Sequence, residues 1–239
     1  MPASPAYKRV LLKVSGEALM GEGTFGVDMG VLDRIAGEVA AAARSGVEMA
    51  IVVGGGNIFR GVAGAARGMD RATADGMGML ATVMNAVALA SAIEQAGAPA
   101  RALSAIAMEA ICGTLTRQRG LDLLAAGTVV VCAAGTGNPF FTTDTAAALR
   151  AAELGCDVIL KGTQVDGVYD ADPKVYPDAR RFETLTFADA LVRDLKIMDT
   201  AAFALARDND IPIVVFDIHN PGALADVLTG AGRATLVSG

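Results

Sequence analysis

The sequence predicts an α/β fold: a largely parallel sheet sandwiched between helices, with two lobes. Three observations lead there. Short β-branched apolar runs alternate with Ala/Leu-rich stretches of helical spacing along the whole chain, the pattern of a parallel sheet covered on both faces. Several of the apolar runs end in a polar turn rich in glycine. At 239 residues and 53% apolar content the chain is large enough for a substantial core, so one domain is expected over residues 1–239, with a soft boundary near Ala151.

The elements follow in order. Tyr7–Val14 (YKRVLLKV) reads as the first strand, ending at Ser15-Gly16. Asp28 is placed to cap a helix whose apolar positions include Val31, Ile35 and Val39 and which stops at Gly46. Val47–Val53 is a second strand, closed by Gly54-Gly55-Gly56, and a long helix runs from about Thr73 to Gln95 before Gly97. Ala100–Ser104 is a weak strand, Thr116–Ala126 a helix and Thr128–Ala134 a buried strand. A ten-residue loop, Gly135 to Asp144, leads into a helix over Thr145–Leu154 that stops at Gly155. Asp157–Lys161 is the next strand. The stretch 162–177, with two prolines and three aspartates, is loop or hairpin. Helices at Phe187–Asp194 and Asp199–Asp208, a strand at Pro212–Phe216, a helix led by Pro221 and a strand at Thr235–Val237 complete the series.

Composition narrows the class. A net charge of −6 and a pI near 4.8 offer no basic footprint for a nucleic-acid backbone. Cys112, Cys132 and Cys156 show no CxxC spacing and read as buried hydrophobes in a reducing cytoplasm. MPASPAYKRV lacks the apolar stretch of a signal peptide. Met77–Ile93 is uncharged, but it holds Thr82, Asn85 and Ser91 and has no aromatic or basic anchors. It therefore reads as a helix in a core or subunit interface and not as a membrane span.

Chemistry gathers at the strand ends. Lys13-Val14-Ser15-Gly16, the run Gly54 to Gly61 (GGGNIFRG) and the loop Gly135–Asp144 each follow a strand. In a parallel sheet the carboxyl ends of strands face one crevice, and consecutive N–H groups around glycines cradle anions. Lys13 and Arg60 add positive charge there. A fourth strand end carries Lys161-Gly162-Thr163, then Tyr169 among Asp166, Asp170 and Asp172, a set suited to a purine, a ribose and magnesium or else to a plain acidic hairpin. Phe140 and Phe141 suggest a wall against a flat ligand. Asp144 and Asp199 stand where either a helix N-cap or a catalytic carboxylate would stand.

Absences narrow the reaction. No GxxxxGK[ST] and no protein-kinase signature occurs, and Gly135-Thr136-Gly137 lacks the third glycine of a dinucleotide fingerprint. The single histidine, His219, lies in a turn, which disfavours a histidine triad or a zinc centre. Lysines, an arginine, nested N–H groups and aspartates suit phosphoryl transfer, where a protein mostly positions and neutralises its reactants.

Six segments in this order and spacing, KVSGEAL, GGGNIFRG, DGMGMLATVMNA, GTGNPFFTTD, VDGVYDADP and KIMDTAAFALARD, closely resemble bacterial uridylate kinases (UMP kinases) of the amino acid kinase superfamily. The resemblance covers about Tyr7 to Val237. It implies Mg²⁺-dependent transfer from ATP to UMP, with acceptor binding in residues 1–150 and ATP binding in 151–239. By the same resemblance Lys13, Val14, Ser15, Gly16, Gly56 and Arg60 hold the ATP phosphates, and Thr163, Tyr169 and Asp172 its nucleoside end. Gly55, Asp75 and Thr136, Gly137, Asn138, Pro139, Phe140, Phe141, Thr142 and Thr143 hold UMP, Asp75 on the ribose hydroxyls. Asp144 and Asp199 orient Mg–ATP and the lysines, and Lys161 neutralises the transferring group, so the catalytic set is Lys13, Arg60, Asp144, Lys161 and Asp199. No direct protein ligand to the metal is expected. The resemblance further implies a homohexamer, inhibition by UTP and activation by GTP through the loop Gly21, Glu22, Gly23, Thr24, Phe25 and Gly26. Cys112–Leu124 matches loosely; Arg117 and Arg119 there are either a solvated face or an effector contact.

Overall fold

A computed structural model describes residues 5–60, 68–173 and 175–239; residues 1–4, 61–67 (with Gly61 of the GGGNIFRG run) and Lys174 lie outside them. The first half comprises strand β1 (Arg9–Val14), helix α1 (Met29–Arg44), β2 (Glu48–Val53), α2 (Arg71–Gln95), β3 (Ala100–Ser104), β4 (Gly113–Thr114) and α3 (Arg117–Ala125). The second comprises β5 (Val129–Ala133), α4 (Thr143–Leu154), β6 (Val158–Thr163), β7 (Thr184–Thr186), α5 (Phe187–Val192), α6 (Thr200–Asp208), β8 (Ile213–Asp217), α7 (Ala223–Leu228) and β9 (Ala234–Ser238).

Local chemistry explains most boundaries. Asp28 caps α1 by accepting from Val31 N at 3.0 Å, and Thr116 caps α3 by accepting from Arg119 N at 3.2 Å. Gly155, with φ of 62°, stops α4 in the left-handed region where a β-carbon is penalised. A helix of four residues, Gly16–Leu19, follows β1, capped by Ser15. This turn, β4 and β7 have no counterpart in the sequence reading. Two- and three-residue strands show no periodicity, and they exist because β3 and β9 offer them backbone partners.

The strands form one sheet in the order β4-β3-β5-β2-β1-β6-β8-β9-β7, parallel except for the β8–β9 pair. Successive strands leave β1 on opposite sides, so a switch point lies at its carboxyl end, where ligands of open α/β sheets bind. One face packs Val10, Leu12, Ile51 and Val131 against α1 and α2; the other packs Leu11, Val52, Val130 and Ile159 against α4 and α6. Helix α2 is long and apolar enough to cross a membrane, with mean hydropathy 1.6, yet half of that stretch is buried, and it packs on β2, β3, β5 and α1. All three cysteines are free and buried; burial pushes the Cys132 and Cys156 thiols up to about 12, which leaves them protonated and unreactive.

Candidate active site

The site begins with register. β1 pairs with β6 so that Lys13 lies beside Lys161, which sends both side chains to the same face of the sheet. Two ammonium groups so placed repel each other unless an anion joins them. Asp144, in the first turn of α4, is that anion: Lys13 Nζ lies 2.7 Å from its Oδ1 and Lys161 Nζ 2.7 Å from its Oδ2. The three side chains are 9%, 13% and 16% exposed for Lys13, Lys161 and Asp144. Lys161 also donates to the Ile197 carbonyl at 2.5 Å. Burial opposes the charge on Asp144, but the two lysines outweigh it and hold the carboxyl below its ordinary range. For Lys161 burial dominates, reinforced by Lys13 and only partly offset by Asp144, so its pKa is lowered.

The structure resolves both ambiguous aspartates. The cap of α4 is Thr142, whose Oγ1 accepts from Asp144 N at 3.0 Å, leaving the Asp144 carboxylate free for the lysines. Asp199 does cap α6, accepting from Ala202 N at 3.0 Å, and it also accepts from the hydroxyls of Thr142 and Thr145, the latter at 2.9 Å. It thus ties the N-terminus of α6 to that of α4.

The glycine turns stack against each other at the end of β1 and β2. A Cβ at Gly16 would lie 2.6 Å from Asn57 Oδ1, 2.7 Å from Gly56 N and 2.9 Å from Gly54 O. A Gly16→Ala variant is therefore expected to lose about 1–3 kcal/mol of stability through overpacking and to bind ATP more weakly; its unfolding midpoint and an ATP titration check this. Arg60 pairs with Glu17 and donates to the Gly56 carbonyl at 3.4 Å. Both partners of that ion pair are well exposed, so it contributes at most about 1 kcal/mol and is easily exchanged for a phosphate.

Two regions open beside the lysine–aspartate centre. A cavity of about 210 Å³ is lined by Gly55, Gly56, Asp75, Thr136, Asn138 and Phe141, with Thr142 and Thr143 at its edge. Both oxygens of Asp75 accept from Arg71 Nε, at 2.9 and 2.8 Å, and Oδ2 also accepts from Phe140 N at 2.8 Å. Of the two phenylalanines, Phe141 is among the lining residues of the cavity, whereas Phe140 is mostly exposed and gives its N–H to Asp75. Thr136 and Asn138 brace each other within the loop, and Gly137 takes φ of 80° close against Ala105. Pro139 lies in the turn between Asn138 and Phe140. On the other side, Lys161, Asp144 and Met198–Thr200 line a cavity of about 490 Å³, which adjoins one of about 600 Å³ bounded by Thr163, Tyr169, Asp172, Leu195 and Lys196. Tyr169 donates to Asp166 Oδ1 at 2.5 Å and forms a bridge with Arg181, and with Asp170 N donating to Arg180 O and Phe182 N to Val168 O, Val168–Asp170 and Arg180–Phe182 are the two arms of a short hairpin.

Lys13, Asp144, Lys161, Thr142 and Asp199 are thus assembled into one centre, with Gly16, Gly55, Gly56 and Arg60 at its mouth. The loop Gly21–Gly26 lies apart from it, held to the glycine turn where Gly26 N donates to Asn57 O at 2.9 Å and Asn57 Nδ2 to Gly26 O at 2.8 Å. Arg119 donates to Thr114 O at 3.4 Å, and Arg117 is exposed on the same helix, on the surface and away from the centre. His219 stays within its turn, bonded to Asp217. Sequence reading missed Arg71, Thr145, Glu17 and the Ile197 carbonyl. For Arg71 alone a signal existed, the i, i+4 spacing to Asp75.

Comparison with known proteins agrees with this geometry. Residues 8–217 match the amino acid kinase family. The chain is 56% identical to the uridylate kinase of Paramagnetospirillum magneticum over 238 residues, covering 100% of this chain and 99% of that protein. It is 59% identical to the uridylate kinase of Agrobacterium fabrum over 237 residues, covering 99% and 98%. The crystal structure of UMP kinase from Ureaplasma parvum superposes with a TM-score of 0.93 at 38% identity, covering 97% of this chain and 99% of that one. The UMP kinase of Bacillus anthracis superposes with the same TM-score at 36% identity, covering 97% and 96%. A continuous sheet with its lysine–aspartate centre at the switch point, together with full-length identity above one half, places the chain in the amino acid kinase family, among the uridylate kinases.

Proposed function

We infer that the protein transfers the γ-phosphoryl group of ATP to UMP, yielding ADP and UDP. The observation that carries this reading is the Lys13–Asp144–Lys161 centre set between two separate cavities. UMP takes the cavity of Asp75 and Phe141, with the ribose hydroxyls on Asp75 and the ring against Phe141. ATP lies across the larger cavities, its nucleoside end by Thr163, Tyr169 and Asp172 and its phosphates on Ser15, Gly16 and Arg60. A phosphate oxygen of UMP attacks Pγ in line, and the bond from Pγ to the β–γ bridging oxygen breaks. No proton need move, because a phosphomonoester with a second pKa of about 6 is already largely dianionic near neutral pH. The protein's task is to bring anions together, and Lys13 and Lys161 offset the growing charge while Asp144 keeps both ammonium groups in place.

Magnesium fits as a companion of the ATP phosphates. Among the described residues no group of three or more His, Cys, Asp or Glu gathers that could hold a bare ion, while Asp144 and Asp199 present the hard oxygens it favours. Bound with ATP, it neutralises the phosphate oxygens. Residues 1–150 then form the acceptor lobe and 151–239 the ATP lobe of a cytoplasmic enzyme of pyrimidine nucleotide supply. Helix α2 exposes Met77, Leu80, Met84 and Val87 at helical spacing, a stripe suited to self-association into a homohexamer. GTP activation through Gly21–Gly26 and UTP inhibition are part of the same proposal, supported by the link from Gly26 through Asn57 to the glycine turn.

The test is ADP release with Mg–ATP and, separately, UMP, CMP, aspartate, glutamate or carbamate, with and without GTP. Turnover is expected with UMP and is expected to rise with GTP. Turnover with a carboxylate or carbamate in place of UMP would point to a different acceptor, and ATP and UMP binding without any turnover would mark a regulator.

A further inference from the structure

The root of the acceptor loop is held in an unfavourable shape from two sides. Ala134 and Gly135, directly after β5, take φ of 60° and 57°, and Gly137 takes 80°. For alanine the left-handed region costs roughly 1–2 kcal/mol, so something must hold it there. On one side Ala134 N donates to Thr82 Oγ1 of α2 at 2.8 Å, and the Thr82 hydroxyl donates onward to Met79 O at 2.7 Å. On the other, Arg150 of α4 donates from Nη2 to Gly135 O at 3.1 Å and from Nη1 to Glu153 at 2.5 Å. Both side chains are buried, and Nε of Arg150 has no partner. A guanidinium is expensive to bury with one N–H unsatisfied. The ion pair with Glu153 and the bond to the loop together hold it there.

We propose that Thr82 and Arg150 are positioning residues that clamp the root of the Gly135–Thr143 loop in its left-handed conformation and thereby set affinity for the acceptor nucleotide without acting on ATP. The proposal rests on the assignment of this loop to UMP. Geometry supports the selectivity: both contacts fall on Ala134 and Gly135, Thr82 also lines the cavity given to UMP whereas Arg150 does not, and neither residue borders the cavities given to ATP. The clamp spans α2 and α4, the two helices on opposite faces of the sheet, so the loop keeps its place only when both are correctly seated. A preformed loop binds without the entropy cost of ordering, and loss of the clamp restores that cost.

The experiment compares wild type, Thr82→Val, Thr82→Ser and Arg150→Met by steady-state kinetics in UMP and in ATP. Thr82→Val is close in shape and removes the acceptor for Ala134 N. Both it and Arg150→Met are expected to raise KM for UMP about tenfold, as loss of one buried hydrogen bond implies, with kcat and KM for ATP little changed. Thr82→Ser, which keeps the hydroxyl, is expected to restore most of the UMP affinity lost in Thr82→Val. Equal rises in both KM values would reduce the residues to general structural roles and overturn the clamp, as would an unchanged KM for UMP in folded Thr82→Val. Arg150 carries the distinction from direct nucleotide contact, because it does not line the UMP cavity; should Arg150→Met fail to fold, Arg150→Lys, which keeps the charge and loses the forked donor to Gly135 O, is expected to raise KM for UMP in its place. Wild-type turnover of UMP alongside unaffected variants sinks the clamp alone, whereas wild type inert toward UMP sinks the acceptor assignment as well.

Discussion

Asp144→Asn is expected to lower kcat by about 10²–10³-fold, the size of effect seen when one preorganised electrostatic contact is removed, while UMP binding persists. The carboxylate sits between two buried ammonium groups at 2.7 Å on each side. An amide can accept from one lysine but supplies no charge, so Lys13 and Lys161 repel each other and swing apart. Removing one member of a buried charge cluster costs about 3–5 kcal/mol, a large share of the roughly 5–15 kcal/mol that stabilises a domain. The unfolding midpoint is expected to fall, and turnover is measured well below it. The same change carries a pH signature. Asp144 raises the pKa of Lys161 against burial and Lys13, which lower it. In the wild type the charged Lys161 is lost, and with it turnover, as pH rises through a value below the ordinary lysine range. Without Asp144 that alkaline limb moves to still lower pH. An alkaline limb that does not move, or turnover equal to wild type, contradicts the role given to Asp144. The cavity proposed for UMP is separate, lined by Gly55, Asp75 and Phe141, so a UMP titration is expected to show near-normal affinity.

Lys13→Ala is expected to act mainly on kcat, by about 10²–10³-fold, with KM for ATP changing far less. A charge that meets the phosphoryl group as negative charge shifts between the bridging and attacking oxygens stabilises the transition state more than the ground state, and its loss appears in kcat. Unchanged kcat with a raised KM for ATP would make Lys13 a ground-state binder. The double variant Lys13→Ala/Asp144→Asn is expected to lose about as much as the worse single one. The two residues are in direct contact, and the value of each depends on the other. Independent multiplication of the two losses would show that the ion pair does not act as a unit.

Much of this protein is legible in the chain order. The β-branched runs around Leu11, Ile51, Val131 and Ile159 became buried strands, and Asp28, Thr116 and Gly155 ended helices as their chemistry dictates. Lys13, Lys161 and the glycine turns stood out because residues at strand ends converge whenever strands run parallel. The long apolar stretch around Leu89 was legible as a core helix from its own polar residues. Reading failed where a partner lay far along the chain. β4 and β7 are too short to signal themselves. Glu17 opposite Arg60, the Ile197 carbonyl on Lys161 and Thr145 on Asp199 meet only through folding. The bond from the Phe140 backbone N–H to Asp75 likewise had no sign in the chain order.

The sequence by itself determined the class of fold, the crevice and the chemical types gathered there, because periodicity, capping and glycine turns are local and act wherever those residues occur. Only the tertiary structure decided that Asp144 faces the lysines and leaves the capping of α4 to Thr142, and that Asp199 both caps α6 and grips α4. The register of β1 against β6 and the packing of α4 on α6 settle those choices, and both are contacts between residues more than a hundred, or several tens, of positions apart.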